Sequence, residues 1–273
     1  AKNMKLLIIT QKVDINDDVL GFFHRWVEEF AKHCEKITVI CLQKGEYNLP
    51  ENVKVFSLGK EQQLRGRTDL GNFKRSVLEE QWLKIKYELN FYKYIWQERK
   101  NCDAVFAHMN PEYVILGGLF WKAMGKKVAL WYAHKNVDCK LRLAEKLVDK
   151  IFTASQESFR LSSEKVEITG HGIDIDKFKP QISRPQRQSA AMAGATKFKI
   201  ITAGRIAEVK NLHFLPEVAE ILKNRGFNNF EIKIAGAPIL ESDKEYFEKL
   251  KEKIQEKKLE GIIEFVGSIP NKD

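Results

Sequence analysis

The sequence predicts an α/β fold built on parallel sheets, in two successive units. Short apolar runs of strand length, such as Lys5 to Thr10, Ile37 to Leu42 and Val128 to Tyr132, alternate with longer stretches of helical periodicity. These runs are almost continuously apolar, which is how strands covered on both faces of a parallel sheet read. The segments between them are long enough to cross over the sheet as helices.

Taken in order, Lys5 to Thr10 predicts a first buried strand and Gln11 to Asp18 a polar loop after it. From Leu20, the residues Phe22, Phe23, Trp26, Val27, Phe30 and Ala31 recur at helical spacing, with Asp17 or Asp18 available as N-cap. Ile37 to Leu42 and Val53 to Leu58 read as the next two strands. Between Arg65 and Lys100, Leu78, Trp82, Ile85, Leu89, Tyr92 and Trp96 recur every three or four positions and predict one long amphipathic helix. Its tryptophans are expected to face the core. The alternative is that its many lysines and arginines lie on an anionic membrane surface.

Strands follow at Ala104 to Ala107, Val128 to Tyr132 and Lys150 to Ala154, with helices at Tyr113 to Met124 and Leu141 to Val148 and a short one from Ser155. Glu164 to Thr169 leads into Gly170-His171-Gly172, which lacks the third glycine of a dinucleotide fingerprint. Residues 183–197, rich in Ala, Ser, Gln and Arg without periodicity, read as a linker or mobile loop between an N-terminal domain at 1–182 and a second unit at 198–273. The second unit is expected to hold strands at 198–203, 230–235 and 262–266. Its helices are expected from about Leu212 and from Asp243 to Lys258, the first starting late because of Pro216.

Bulk properties narrow the function classes. At 273 residues, 44% hydrophobic and 30% charged, the chain has the composition of a globular protein rather than a disordered one. No apolar run approaches the length that spans a bilayer. The net charge of +9 favours anionic partners, but no nucleic-acid motif or interleaved aromatic and basic platform appears, so nucleic acid is not the expected ligand. Cys34, Cys41, Cys102 and Cys139 follow no metal-binding spacing and read as reduced, mostly buried thiols of a cytoplasmic protein.

The candidate chemistry sits at strand ends, where open α/β sheets bind ligands. Thr202 to Asn211 leaves a strand through the small residues Ala203 and Gly204, carries Arg205 and Lys210, and enters a helical segment. Two cations beside a helix N-terminus suit a phosphorylated ligand, although exposed charges on such turns are also ordinary. No P-loop pattern occurs. His108 and His134 each follow a strand, either as structural residues or as ligand-facing imidazoles.

These segments, in this order, resemble the retaining nucleotide-sugar glycosyltransferases of the GT4 group. The resemblance lies in AHMNPE around His108, WYAHKN from Trp131, TASQES from Thr153, GHGIDIDKFKP from Gly170, GRIAEVKN from Gly204 and FVGSI from Phe265. It implies a GT-B architecture, with an N-terminal Rossmann-like domain and a second, incomplete one. It also implies hexosyl transfer from a nucleoside diphosphate sugar to a glycan, lipid-linked or small-molecule acceptor, with retention.

Carried over by position, the resemblance assigns the donor diphosphate to Gly204, Arg205 and Lys210 and the base to Ser268 and Ile269. His108 becomes the catalytic-side histidine of the cleft, while His134 and the loop residues Asn16, Asp17 and Gly21 become acceptor or cleft positions. No metal or other cofactor is implied, because protein cations serve the phosphates. In the family, the loop after the first strand has paired glycines, whereas here Gly21 stands alone. The family's acidic motif of two glutamates seven residues apart is not found after Val266, so the expectation is either a fragment of a longer natural chain or strands supplied elsewhere, with weak or absent turnover as it stands. The competing expectation is a non-catalytic module that binds a nucleotide or a partner.

Overall fold

The fold begins with β1 (Lys5–Val13), whose side chains alternate between two apolar layers. Leu7 and Ile9 enter one core and Leu6 and Ile8 the other. In this computed structural model, residues 4–17, 19–61, 77–172 and 197–269 are described. The chain divides into two compact units, Ala1–Asp174 and Ile175–Asp273. The expected linker at 183–197, apart from Lys197, lies outside the described residues. So do residues 65–76 of the expected long helix, Asp18, the stretch from Ile173 to Pro180, and the chain beyond Ile269.

The first unit contains α1 (Gly21–His33), β2 (Lys36–Lys44), β3 (Val53–Ser57), α2 (Val77–Gln97), β4 (Ala104–His108) and α3 (Pro111–Ala123). It continues through β5 (Lys127–Trp131), α4 (Cys139–Leu147), β6 (Lys150–Thr153) and β7 (Val166–Ile168). Its seven strands run in the order β3-β2-β1-β4-β5-β6-β7, all parallel. Because every pair is parallel, all strand carboxyl ends lie along one edge. Thr10 of β1 therefore meets His108 of β4 there, and His108 pairs in register with Trp131 of β5.

Helices cover both faces. Phe23, Val27 and Ala31 of α1 close one core, while Phe91 and Ile95 of α2, Val114 and Trp121 of α3 and Leu141 and Ala144 of α4 close the other. Asp138 caps α4 by accepting a hydrogen bond from the Leu141 N–H at 2.8 Å, an interaction worth about 1 kcal/mol.

The second unit contains β8 (Phe198–Ala203), α5 (Leu215–Asn224), β9 (Phe230–Ala235), α6 (Glu241–Glu256) and β10 (Ile263–Gly267). Its parallel sheet has the order β10-β9-β8. Ile232 and Ile234 of β9 pack with Leu250 and Ile254 of α6 and Ala219 of α5. β8 is the edge strand, and its Phe198 and Ile201 are exposed.

Several expectations are corrected. β1 runs through Gln11, Lys12 and Val13, which pair with β2 instead of forming a loop. Glu164 to Thr169 contains a further strand, β7, too short to give a periodic signal. Leu212 to Phe214 is a separate 3-10 turn before α5, which starts at Leu215 so that Pro216 occupies its first turn. Asp17 does not cap α1 at its first residue. Its carboxylate accepts the Val19 and Leu20 N–H groups one turn earlier. The cysteines are mostly buried as expected, Cys34, Cys41 and Cys102 being covered and Cys139 exposed. The largest correction is in α2, where Trp82 and Trp96 face outward because the sheet takes the opposite side of the helix, with Phe91 and Ile95.

Candidate functional site

In the second unit, three strand ends are stitched together through their backbones. The Gly204 N–H donates to Ala235 O at 2.9 Å, Ile206 N–H to Ala237 O at 3.1 Å and Gly236 N–H to Gly267 O at 2.7 Å. Gly204 and Gly236 hold φ values of 146° and 143°, a region that side chains avoid. A Cβ at Gly236 would run into the Gly204 carbonyl oxygen, so the turns after β8 and β9 touch only because glycine is present. The resulting shallow hollow, of about 60 Å³, is lined by Thr202, Gly204, Arg205, Lys210 and Leu212, with Ile234 and Ala235 from β9.

Arg205 and Lys210 reach this hollow from different structures. Arg205 follows Gly204 directly, while Lys210 closes a 3-10 turn at Glu208–Lys210. Asn211 then reverses the chain in the left-handed conformation, with φ 53°. Arg205 is held from behind, its Nε 3.5 Å from Oδ2 of Asp243 in the first turn of α6. The same carboxylate accepts the Leu240 and Ile239 N–H groups at 3.0 and 3.3 Å. The Leu240 hydrogen bond leads in holding the Asp243 carboxyl below its ordinary range; the Ile239 bond and the Arg205 charge add to it and together outweigh burial. The hollow is thus a small cationic concavity.

Of the sequence-predicted donor residues, Gly204, Arg205 and Lys210 are brought together. Ser268 and Ile269 follow β10 on the neighbouring strand end, exposed and outside the lining of the hollow. Asp243 and Gly236 escaped the sequence reading. Asp243 lies in an unremarkable charged helix start, and its meaning comes only from the arginine that the fold sets beside it.

In the first unit, His108 lies at the sheet's carboxyl edge but is enclosed. Its ring stacks on Phe23 at 4.0 Å and lies 5.5 Å from Trp131, with Phe22 and Trp26 at its edges. Its Nδ1 shares a 3.2 Å hydrogen bond with Thr10, while its Nε2 and the Trp131 Nε1 are buried without a hydrogen-bond partner. Burial pushes the imidazole pKa down to about 4, so it is neutral at neutral pH. His108 is 1% exposed, and a ligand can reach it only if the aromatic cover from α1 moves.

His134 is exposed, three residues beyond Trp131, and its Nδ1 accepts the Asn136 N–H. Asn16 and Asp17 sit in the turn after β1. Lys12 bridges Asp17 at 2.6 Å and Asp14 at 3.1 Å, and Asn16 bonds Glu46. Burial works against both Lys12 and Asp17. It is the largest single influence on each, but the bonds and charges of Asp17 and Asp14 together outweigh it and raise the Lys12 pKa. The Lys12 bond, together with those from the Leu20 and Val19 N–H groups, outweighs it and lowers that of Asp17. Gly21 opens α1 against the Ile15 carbonyl. Lys12, Asp14, Gln11 and Asn110 join this edge without having been singled out by sequence, because Gln11 and Lys12 read as loop residues. Gln11 donates to Asn110 Oδ1 at 2.6 Å, and Asn110 in turn donates to the His108 carbonyl. Among the described residues, no His, Cys, Asp and Glu group has the arrangement of a metal site.

Comparison with known proteins bears on both units. No curated protein matches the sequence. HepE of Anabaena, solved with UDP, superimposes with a TM-score of 0.67 at 15% identity, over 97% of this chain and 70% of that one. A glycosyltransferase of Rickettsia africae gives 0.62 at 14% identity, over 98% and 69%. The UDP-GlcNAc 2-epimerase of Methanocaldococcus jannaschii gives 0.51 at 14%, over 97% and 73%. At such identities the likeness establishes the fold, an α/β fold of the GT-B class, and leaves the reaction open. Residues 185–273, which include Gly204, Arg205, Lys210, Ser268 and Ile269, match the family model of the glycosyl transferases group 1.

Proposed function

We propose that the protein is a glycosyltransferase that takes a sugar from a nucleoside diphosphate donor, and that Arg205 and Lys210 bind the donor's diphosphate. The observation that carries this reading is the pair of cations over the Gly204 turn, inside the segment that matches the glycosyl transferases group 1. As the glycosidic bond breaks, negative charge grows on the departing diphosphate. Cations fixed beforehand stabilise that charge more than the ground state. The structure solved with UDP supports a uridine nucleotide as the first donor to test.

The finer reading extends to GT4-type hexosyl transfer with retention, to an envelope glycan, lipid-linked or metabolite acceptor, in the cytoplasm or on the inner face of a membrane. In this proposal Gly204 gives the diphosphate close backbone access and Ser268 and Ile269 meet the base. His134, Asn16, Asp17 and Gly21 line the acceptor side, and His108 is the catalytic histidine of the cleft, reached when its aromatic cover moves. Domain bounds of 1–182 and 198–273 around a linker at 183–197 are part of the same reading. No metal is required, since the diphosphate meets two protein cations.

The experiment is calorimetric titration of the chain with UDP and GDP, followed by assay with nucleotide sugars. Binding that is lost in Arg205→Ala and Lys210→Ala supports the assignment. Unchanged affinity in both variants rejects it. The epimerase relative favours one second reading, in which the same fold rearranges a bound nucleotide sugar without an acceptor. Formation of an isomeric nucleotide sugar with no acceptor added, rather than release of the nucleoside diphosphate by hydrolysis, would select that reading. Binding without any conversion would select the non-catalytic module.

A further inference from the structure

The outward face of α2 carries a run of exposed apolar side chains that the candidate site does not use. Leu78, Trp82, Ile85, Leu89, Tyr92 and Trp96 follow one another at alternating intervals of four and three, so they share one side of the helix. All six are exposed, from 44% at Tyr92 to 69% at Trp82. The other side of the same helix supplies Phe91 and Ile95 to the core, with Tyr87 and Tyr94 packed beside them. None of residues 78–90 is fully buried; Leu83, Tyr87 and Asn90 are half-buried and the rest are exposed, so this part of the helix is only lightly covered. Leu119 of α3, 70% exposed, extends the patch.

The charges around the stripe say what it meets. Lys84, Lys86, Lys93, Arg99 and Lys100 accompany it from its middle to its end. Glu88 is the exposed acid in that stretch, since Glu98 is buried beside Lys36 and Lys54. Glu79 and Glu80 lie at the far end, in the first turn. The Arg99 guanidinium sits 4.2 Å over the Trp96 ring, a pairing of aromatic and cation suited to a polar–apolar boundary. A second copy of the helix is a poorer partner. Tryptophans occupy alternate seam positions where helix pairs prefer branched aliphatic side chains, and the flanking cations would face one another.

We propose that this face of α2 docks on an anionic lipid bilayer. Trp82, Leu89 and Trp96 enter the boundary between headgroups and acyl chains, and the flanking lysines and arginines meet lipid phosphates. The proposal stands on the helix alone and is independent of the transferase reading. α2 precedes β4 and runs back across the parallel sheet. Asn90 donates to the Leu58 carbonyl just past β3, and Glu98 accepts from Thr38 near the start of β2. The N-terminal half of α2 therefore lies toward the carboxyl edge that holds His108, which places that edge close to the lipid.

The test is sedimentation of the full chain with phosphatidylglycerol-rich vesicles and with pure phosphatidylcholine vesicles, at low and high salt. Binding to the anionic vesicles is expected, weakened at high salt. It should fall at least about tenfold in Trp82→Ser/Trp96→Ser and in Lys84→Glu/Lys86→Glu/Lys93→Glu, two sets of exposed positions whose far-ultraviolet spectra should match the parent. No sedimentation at low salt, or equal binding by both variants, overturns the proposal. So does concentration-dependent self-association that Trp82→Ser/Trp96→Ser abolishes while no vesicle binding is seen, because the stripe then belongs to a second copy. UDP titration in parallel keeps the outcomes separate, since a failure there leaves the docking result standing.

Discussion

The Nε of Arg205 lies 3.5 Å from the Asp243 carboxylate, which also holds the backbone of Ile239 and Leu240 at the start of α6. One acid therefore ties the turn after β8 to the helix after β9. A cation meant for a diphosphate gains from such a tether, because an arginine fixed in advance loses less side-chain freedom when the ligand arrives.

Asp243→Asn is expected to weaken UDP binding about tenfold, since the amide still accepts from the α6 backbone but no longer pairs with Arg205. Asp243→Glu should restore part of the affinity. Calorimetry on the three proteins checks this. Equal affinity in all of them removes Asp243 from the site.

Arg205→Ala and Lys210→Ala are each expected to lower turnover by roughly two orders of magnitude, the usual loss when a fixed electrostatic donor is removed. Steady-state kinetics with the donor that titration identifies provides the measurement. Loss confined to KM would mean that the cation binds the ground state and the transition state equally.

Gly236→Ala should destabilise the second unit by about 1–3 kcal/mol, because φ 143° strains any side chain and the new methyl meets the Gly204 carbonyl. The urea midpoint reads this directly. Gly261→Ala, whose Cβ would meet nothing within 4 Å, is the control and should move it far less.

Burial lowers the His108 pKa to about 4, from an ordinary value of 6.5. Between those values the unfolded chain binds the proton and the folded one does not. The stability contributed by neutral His108 is therefore complete above pH 6.5 and lost as pH falls toward 4, by on the order of 3 kcal/mol. Denaturation in urea at pH 7 and pH 4.5 should show this loss, reduced in His108→Phe. A histidine that titrates near 6.5 by NMR would contradict the enclosed ring.

Cys139 is the exposed thiol, whereas burial raises the pKa of Cys34 and Cys102 and pushes Cys41 up to about 12. A thiol reagent at neutral pH should modify Cys139 quickly in the native protein and the other three only on unfolding. Mass spectrometry of the modified peptides would identify the site.

Local chemistry sufficed for the parallel α/β class, the placing of most strands and helices, and the strand-end turn with Arg205 and Lys210. Apolar runs such as Lys5 to Thr10 can satisfy both faces only inside a covered sheet, and a Gly-Arg step after such a run leaves its cation at the sheet edge whatever the details. The direction of α2 was not legible. Its stripe of tryptophans at helical spacing and its second set, Phe91 and Ile95, are both apolar, and only the sheet decided which set to cover. Whether His108 is structural or ligand-facing was open in the sequence, and its enclosure comes from Phe22, Phe23 and Trp26, on a helix more than eighty residues away in sequence. Asp243 meets Arg205, and Gly236 meets Gly204, each across more than thirty residues of chain. Contacts between residues far apart in the chain are set by packing, which periodicity does not encode, and in this protein they govern how each candidate site residue is held.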